Sequence, residues 1–222
     1  MGVKGGPNIP NWETFNTMLD PSSFISYPGT GFTFTNPLSF PSWSNWTMTD
    51  NTNLIAGSGI SKYVKQTSVQ QYSQRIVQVG GDGSNRFTCI FIYRQPQAAD
   101  YRTIIQWQSN DFGIYVEANG NITMKSSNTN YTTSGLAITD DRWRHFTFTR
   151  SGTAATMYIN GSLFTTFTGL SANNNSAGDT KMFDNPGCDG ALGLIWFKFG
   201  EADSATVVKR HYDAMKGRFG IT

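Results

Sequence analysis

The chain is poor in charge, and poorer still in the groups that move protons. Asp, Glu, Lys and Arg make up 14% of its 222 residues, with three Glu (Glu13, Glu117 and Glu201), two His (His145 and His211) and two Cys. The net charge is +2, and the basic residues are scattered apart from Lys209, Arg210, Lys216 and Arg218. Neutralising phosphates needs a denser basic patch, so nucleic acid is not an expected partner. The four C-terminal cations read instead as charges suited to the last turn of a helix. Long apolar runs are missing as well. None follows Lys4 in "MGVKGGPNIPNW", and the longest apolar stretch, "ALGLIWFKF", is too short to cross a bilayer. The expectation is a soluble protein made in a cytosol, with no membrane partner. Cys89 in "FTCIFIY" and Cys188 in "NPGCDG" read as free thiols in such a chain.

The scarcity of acids and bases bears directly on catalysis. Glycoside hydrolysis needs two carboxyl groups roughly 5 to 10 Å apart, commonly supplied from neighbouring positions of one strand. Glu201 is the only Glu with another acid two residues away, Asp203, and that pair stands where a helix begins, so capping explains it better. Asp140 and Asp141 are consecutive and point to opposite sides, as in a turn before Trp143. There is no Gly-x-Ser-x-Gly elbow. The glycines of "GGDGSN" precede a strand, which fits a turn and not a phosphate cradle. No enzyme is expected.

What is plentiful is Asn, Ser, Thr and Gly, set between short alternating segments. Residues 1 to 60 are irregular, interrupted by Pro7, Pro10, Pro21, Pro28, Pro37 and Pro41, with room for short strands such as "GFTFT". Beyond Ser68, "VQQYSQRIVQVGGDGSNRFTCIFIYRQ" reads as two strands joined by a Gly-Asp-Gly turn, the second apolar on both faces and therefore central in its sheet. Asn119-Gly120 and Asn160-Gly161 each suit a two-residue hairpin whose central positions take positive φ. Phe146 and Phe148 share one strand face, as do Met157 and Ile159.

A last strand, "GALGLIWFKFG", precedes a helix at residues 204–216, capped by Asp203 or Ser204 and ended by a left-handed Gly217. Its periodicity turns Val208, Tyr212 and Met215 inward and leaves Lys209, Arg210 and Lys216 in water. Many antiparallel strands bury their faces by packing as two sheets. The fold expected is therefore all-β: a two-sheet antiparallel sandwich with one short C-terminal helix that seals an edge or the open end of the core. Residues 1–40 form a Pro-rich arm with the first strand, and residues 41–222 the sandwich.

Three stretches resemble a known family. "DRWRHFTFTRSGTAATMYINGSLF" is similar to the Trp-x-His strand and following hairpin of laminin G-like, concanavalin A-like jelly-roll domains. "DGALGLIWFKFGEADSATVVKRHYDAMKGRFG" resembles their closing strand, short helix and tail, and "KGRFG" is like the ending found in bacteriophage virion proteins. "MLDPSSFISYPGTGFTFTNPLS" resembles the opening segment of those same proteins. The segment from Phe40 to Ser68, with "PSWSNWTM", departs from the pattern. The resemblance implies a jelly-roll sandwich serving as a non-enzymatic virion structural protein. It would be made in the host cytoplasm and displayed on the particle surface, as a head decoration or a tail or fibre component. The implied partners are other virion proteins, copies of the chain itself and host-surface glycans. A soluble lectin module and a polysaccharide-degrading enzyme are the alternatives.

The resemblance implies one candidate site, and residue types suggest another. Laminin G-like domains often hold one calcium at a rim, which would fall on Asp179, Asp184, Asn185 and Asp189 of "DTKMFDNPGCDG". Oxygen donors suit that hard cation, and loop formation alone selects the same residue types. A sugar site sets an aromatic platform beside amide groups. Trp43, Asn45 and Trp46 of "WSNW", and Tyr131 of "YTTS", have those ingredients; burial in a core or interface is the competing expectation for both tryptophans.

Overall fold

The computed structural model describes residues 17–21, 33–34, 46–48, 55–58, 61, 63–65, 72–76, 86–96, 102–107, 112–127, 129–171, 178–182 and 190–222. In chain order the strands are β1 (Thr17–Leu19), β2 (Thr33–Phe34), β3 (Trp46–Met48), β4 (Ile55–Ala56), β5 (Tyr63–Lys65) and β6 (Tyr72–Ile76). They continue as β7 (Phe87–Arg94), β8 (Arg102–Trp107), β9 (Phe112–Val116), β10 (Ile122–Ser126), β11 (Thr129–Thr132) and β12 (Arg144–Ser151). Last come β13 (Ala154–Ile159), β14 (Ser162–Thr168), β15 (Gly178–Met182), β16 (Ala191–Phe199) and the helix α1 (Ala205–Met215).

These strands form two antiparallel sheets, as expected. The front sheet runs β14-β13-β12-β7-β16-β5-β4, with β1 also paired to β16; the back sheet runs β11-β10-β9-β8-β15-β6-β3-β2. The strand apolar on both faces, β7, is indeed central, lying between β12 and β16. Its predecessor β6 lies in the back sheet, so the Gly-Asp-Gly segment links the two sheets and does not close a hairpin.

Alternation along β7 and β16 divides the apolar residues between two layers. Cys89, Phe91, Tyr93, Ile195 and Phe197 point toward the back sheet and meet Phe146, Phe148, Met157, Ile114 and Met124 in the main core. Phe91 stacks on Phe146 and Phe148 with ring centroids 5.1 and 6.0 Å away. Ile90, Ile92, Leu194 and Trp196 point the other way, into a second cluster with Tyr212, Met215, Phe219 and Ile221. Each such side chain contributes about 1.5–3 kcal/mol by leaving water. Cys89 is a free, fully buried thiol, and burial pushes its pKa up; Cys188 lies outside the described residues.

The second cluster corrects the expected place of the helix. Helix α1 covers the outer face of the front sheet, away from the main core, because β7 and β16 carry apolar residues there that need a cover. Val208, Tyr212 and Met215 are buried as the periodicity requires, and His211 joins them. Ser204 is the N-cap, its side chain accepting from the Val207 amide at 3.5 Å, whereas Asp203 is turned inward. No helix among the described residues is long and apolar enough to cross a membrane.

The helix tail and one hairpin also differ from expectation. After Met215 the chain tightens into a 3-10 turn over Lys216–Arg218, and Gly220, with φ +62°, is the left-handed residue in place of Gly217. The Ile221 amide then donates to the Lys216 carbonyl at 2.9 Å, the six-to-one bond of a Schellman motif. Asn160-Gly161 has both residues at positive φ, 50° and 75°, as a type I′ turn requires. At Asn119-Gly120 only the glycine is left-handed; the Gly120 amide donates to the Glu117 carbonyl and Glu117 to Asn121, which makes a three-residue loop with a bulge.

Candidate functional site

Strands β5 and β7 of the front sheet, which flank β16, and the turn leading into β12 deliver side chains to one surface beside the helix tail. Tyr63 opens β5, Arg94 closes β7, and Trp143 immediately precedes β12. The Arg94 guanidinium lies 5.2 Å from the Tyr63 ring centroid and 5.0 Å from that of Trp143, so the cation stacks on both aromatic rings. It donates to the Tyr63 hydroxyl at 3.2 Å and pairs with Asp141 at 3.3 Å. Trp143 meets Tyr63 edge-on at 5.2 Å and leans on Phe219 at 4.8 Å. Gly193 makes room beneath that tail: a Cβ there would stand 2.5 Å from Phe219 Cζ.

The turn before β12 supplies the charged rim. Arg144 grips Asp140 with both terminal nitrogens, at 2.6 and 2.7 Å, and the Arg142 amide donates to the same carboxylate at 3.3 Å. The Arg144 hydrogen bonds hold the Asp140 carboxyl down at about 2. Asp141, with φ +57°, points the other way, to Arg94. The two consecutive acids thus form the turn read from the sequence, each held by a different arginine. A carboxylate fixed in its ionised form is a poor general acid. Asp141, held by Arg94, is the carboxylate beside the half-exposed rings of Tyr63 and Trp143, where it can accept from hydroxyl groups.

Beneath α1 lies a second polar group, buried except at Glu201. Lys198 Nζ is 2.9 Å from Asp203 and 2.7 Å from Glu201; the Asp203 amide donates to Thr88 Oγ1 at 2.8 Å; His211 Nε2 is 3.5 Å from Asp203. Burial would raise the Asp203 carboxyl, but His211 and Lys198 outweigh it and hold the group below its ordinary range. Burial likewise opposes charge on Lys198, and Glu201 with Asp203 raise its pKa nonetheless. These two acids are the pair singled out as a helix cap, and they clasp a lysine. Neither is placed to protonate a leaving group: Glu201 is tied to Lys198 at 2.7 Å, and Asp203 is held ionised and sealed from water.

His145 lies on the outer face of β12, fully buried, its ring 5.9 Å from Tyr212. Burial, with His211 nearby, pushes the His145 imidazole down to about 3, so it stays neutral. Arg218, read as a helix-end cation, is instead buried and bidentate to Asp20, joining the "MLDP" and "KGRFG" motifs 198 residues apart. Such a pair leaves no periodicity or spacing in the sequence by which to find it.

Of the sugar-site candidates only Tyr131 is described in full. It sits half-buried in β11, edge-on to Phe167 at 6.2 Å, and its hydroxyl donates to the Gly169 carbonyl at 2.8 Å, which ties the edge of one sheet to the other. Trp46 falls in β3, opposite Phe34. β3 and β11 are six strand positions apart in the back sheet, about 29 Å at 4.8 Å per strand, so Trp46 and Tyr131 form no common site. Trp43, Asn45 and the side chain of Trp46 lie outside the described residues. Asp184, Asn185 and Asp189 do as well, while Asp179 lies within β15 opposite Arg75 and not in a loop. Among the described residues no three His, Cys, Asp or Glu gather as metal ligands. The Tyr63–Arg94–Trp143 group escaped the sequence because its members come from strands separated by tens of residues.

Comparison with known proteins agrees with this architecture. No curated protein matches the chain in sequence. A structure of botulinum neurotoxin type C, whose cell entry depends on interaction with two ganglioside molecules, superposes with TM-score 0.65 at 11% identity, over 91% of this chain and 52% of that one. The botulinum neurotoxin type G receptor-binding domain gives 0.60 at 17% identity, over 90% and 51%. The binding domain of Paraclostridial Mosquitocidal Protein 1 gives 0.60 at 16%, over 77% and 48%. The chain thus spans about half the length of these structures, and at such identities the likeness is one of fold. A laminin G-like family model described as the concanavalin A-like lectin/glucanases superfamily matches residues 22–192, well over half of the chain. With both sheets in place, the chain belongs to the concanavalin A-like lectin/glucanases superfamily.

Proposed function

We propose that this chain is a non-enzymatic glycan-binding module. The observation that carries the reading is the surface where Arg94 is stacked on Tyr63 and Trp143 and flanked by Asp141. Sugar rings offer an apolar face and a rim of hydroxyls, and this surface offers aromatic rings, fixed donors and fixed acceptors within one patch. The competing hydrolase reading lacks support: the nearest thing to a carboxyl pair, Glu201 and Asp203, is ion-paired to Lys198. The ganglioside interaction of a neurotoxin with the same fold lends the glycan class further support. Isothermal titration against a panel of oligosaccharides tests the reading. Saturable binding lost in Arg94→Ala, without release of shortened sugar, is expected; turnover, or binding untouched by Arg94→Ala, would overturn it.

The finer reading is a module displayed on the surface of a bacteriophage particle, as head decoration or tail or fibre component. It is supported by the likeness of "SYPGTG" and "KGRFG" to segments of phage virion proteins. The Pro-rich residues 1–40 would serve as its attachment arm. Calcium on Asp179, Asp184, Asn185 and Asp189 remains part of this proposal, for the same family reason. Sedimentation with purified particles separates the virion protein, which pellets with them, from a soluble lectin, which stays in the supernatant.

A further inference from the structure

A guanidinium offers a carboxylate two edges of paired donors, one made by Nε with a terminal nitrogen and the other by the two terminal nitrogens. At Arg94 neither edge is open. Nε is buried and closed to a ligand. On the other edge Nη1 faces both oxygens of Asp141, at 3.3 and 3.5 Å, and Nη2 donates to the Tyr63 hydroxyl at 3.2 Å. Each terminal nitrogen carries two hydrogens, so single donors remain for hydroxyl groups, and 28% of the side chain reaches solvent.

The fold itself delivers Asp141 to that edge. The Asp141 amide donates to the carbonyl of Gln95, the residue after Arg94, at 3.0 Å, and the Asp141 backbone is left-handed at φ +57°. The turn before β12 is thus pinned to the end of β7, with its carboxylate turned to Arg94. The other rim charges offset one another, since Asp140 is held by Arg144 at 2.6 Å and approached by Arg142 at 3.6 Å.

We propose that this surface selects neutral glycans, and that Asp141 excludes acidic ones by holding the place on Arg94 that a sugar carboxylate would take; the inference rests on the glycan-binding reading above. A neutral sugar needs only single donors and acceptors, which Arg94, Tyr63 and Asp141 supply around the aromatic rings. A sugar carboxylate would have to displace Asp141 and would leave it beside a like charge. Such a juxtaposition is costly and acts as a filter against the wrong ligand.

A glycan array of matched pairs, each a neutral oligosaccharide and the same chain ending in a sialic or uronic acid, tests the proposal when probed with the full chain. The wild type is expected to bind neutral members and pass over their acidic partners. Asp141→Asn removes the charge and suits a left-handed turn position; Asp141→Gly removes it with a residue that takes positive φ freely. Both variants are expected to keep neutral binding and to hold acidic members at least about tenfold more tightly than the wild type does, a gain that fades at high salt. Acidic members bound by the wild type as well as neutral ones, or a preference unchanged in both variants, would overturn the proposal and leave the glycan-binding reading standing. Loss of both classes in both variants would make Asp141 a structural residue and overturn it too. Absence of binding to every member by the wild type would overturn the glycan-binding reading, and this inference with it.

Discussion

The two faces of the front sheet are made by the same strands in alternate residues, yet they are built by different rules. The inner face is apolar apart from Arg150 at the end of β12, with Phe91, Phe146 and Phe148 in one stack. The outer face alternates Ile90, Ile92 and Trp196 with Thr88, His145, Thr147 and Lys198, all buried under one helix and its tail. An apolar layer tolerates many side chains of suitable volume, whereas a buried polar layer stands only while its partners are present. The outer face should therefore be the one that responds to pH and to single charge changes.

The largest effect is expected on the inner face. Phe91→Ala removes a fully buried ring from the stack and should cost about 4 kcal/mol in chemical denaturation. On the outer face Asp203→Ala should cost about 3 kcal/mol by leaving Lys198 buried with only the exposed Glu201. The double variant Asp203→Ala/Lys198→Met should recover most of that loss. If the double variant is as unstable as the single one, the polar layer is not what holds the helix down.

A pH titration sharpens the contrast further. The folded chain holds His145 neutral down to about 3, while an unfolded chain protonates it near its ordinary value of 6.5. The unfolded state therefore binds the extra proton first, and stability is full above 6.5 and falls as pH drops toward 3. Over the two units below 6.5 the loss should be about 2 kcal/mol, and His145→Gln should flatten that slope. The depressed carboxyls of Asp140 and Asp203 add their losses only at lower pH, below the ordinary carboxylate range. The smallest effect is expected at the surface: Lys209→Ala should change stability by less than about 0.5 kcal/mol, as a melting curve would show.

What the sequence disclosed follows the same division. Period-two alternation revealed the core residues of β12 and β13 and the two-sided burial of β7, because side-chain direction in a strand is fixed by local geometry. The helix was legible from the spacing of Val208, Tyr212 and Met215. Its resting place was not, since the apolar outer row of Ile90, Ile92 and Leu194 that receives it is shared with the inner row in one unbroken run. Asp20 with Arg218, Lys198 with Asp203 and Arg94 with Tyr63 and Trp143 are products of topology. Each joins residues whose types alone suggest a turn, a cap or a solvated cation, and only sheet order brings them together.

On the proposed function, the outer-face surface at Arg94 binds glycan without cleaving it. Titration of one saturating oligosaccharide into wild type, Arg94→Ala and Glu117→Gln, with chromatography of the recovered sugar, tests it most directly. Glu117 accepts a hydrogen bond from Thr123 in the back sheet, and its replacement should leave binding intact. Non-cleaving binding at Arg94 predicts intact sugar throughout, with binding lost only in Arg94→Ala. Shortened sugar from the wild type that disappears in Glu117→Gln would contradict it.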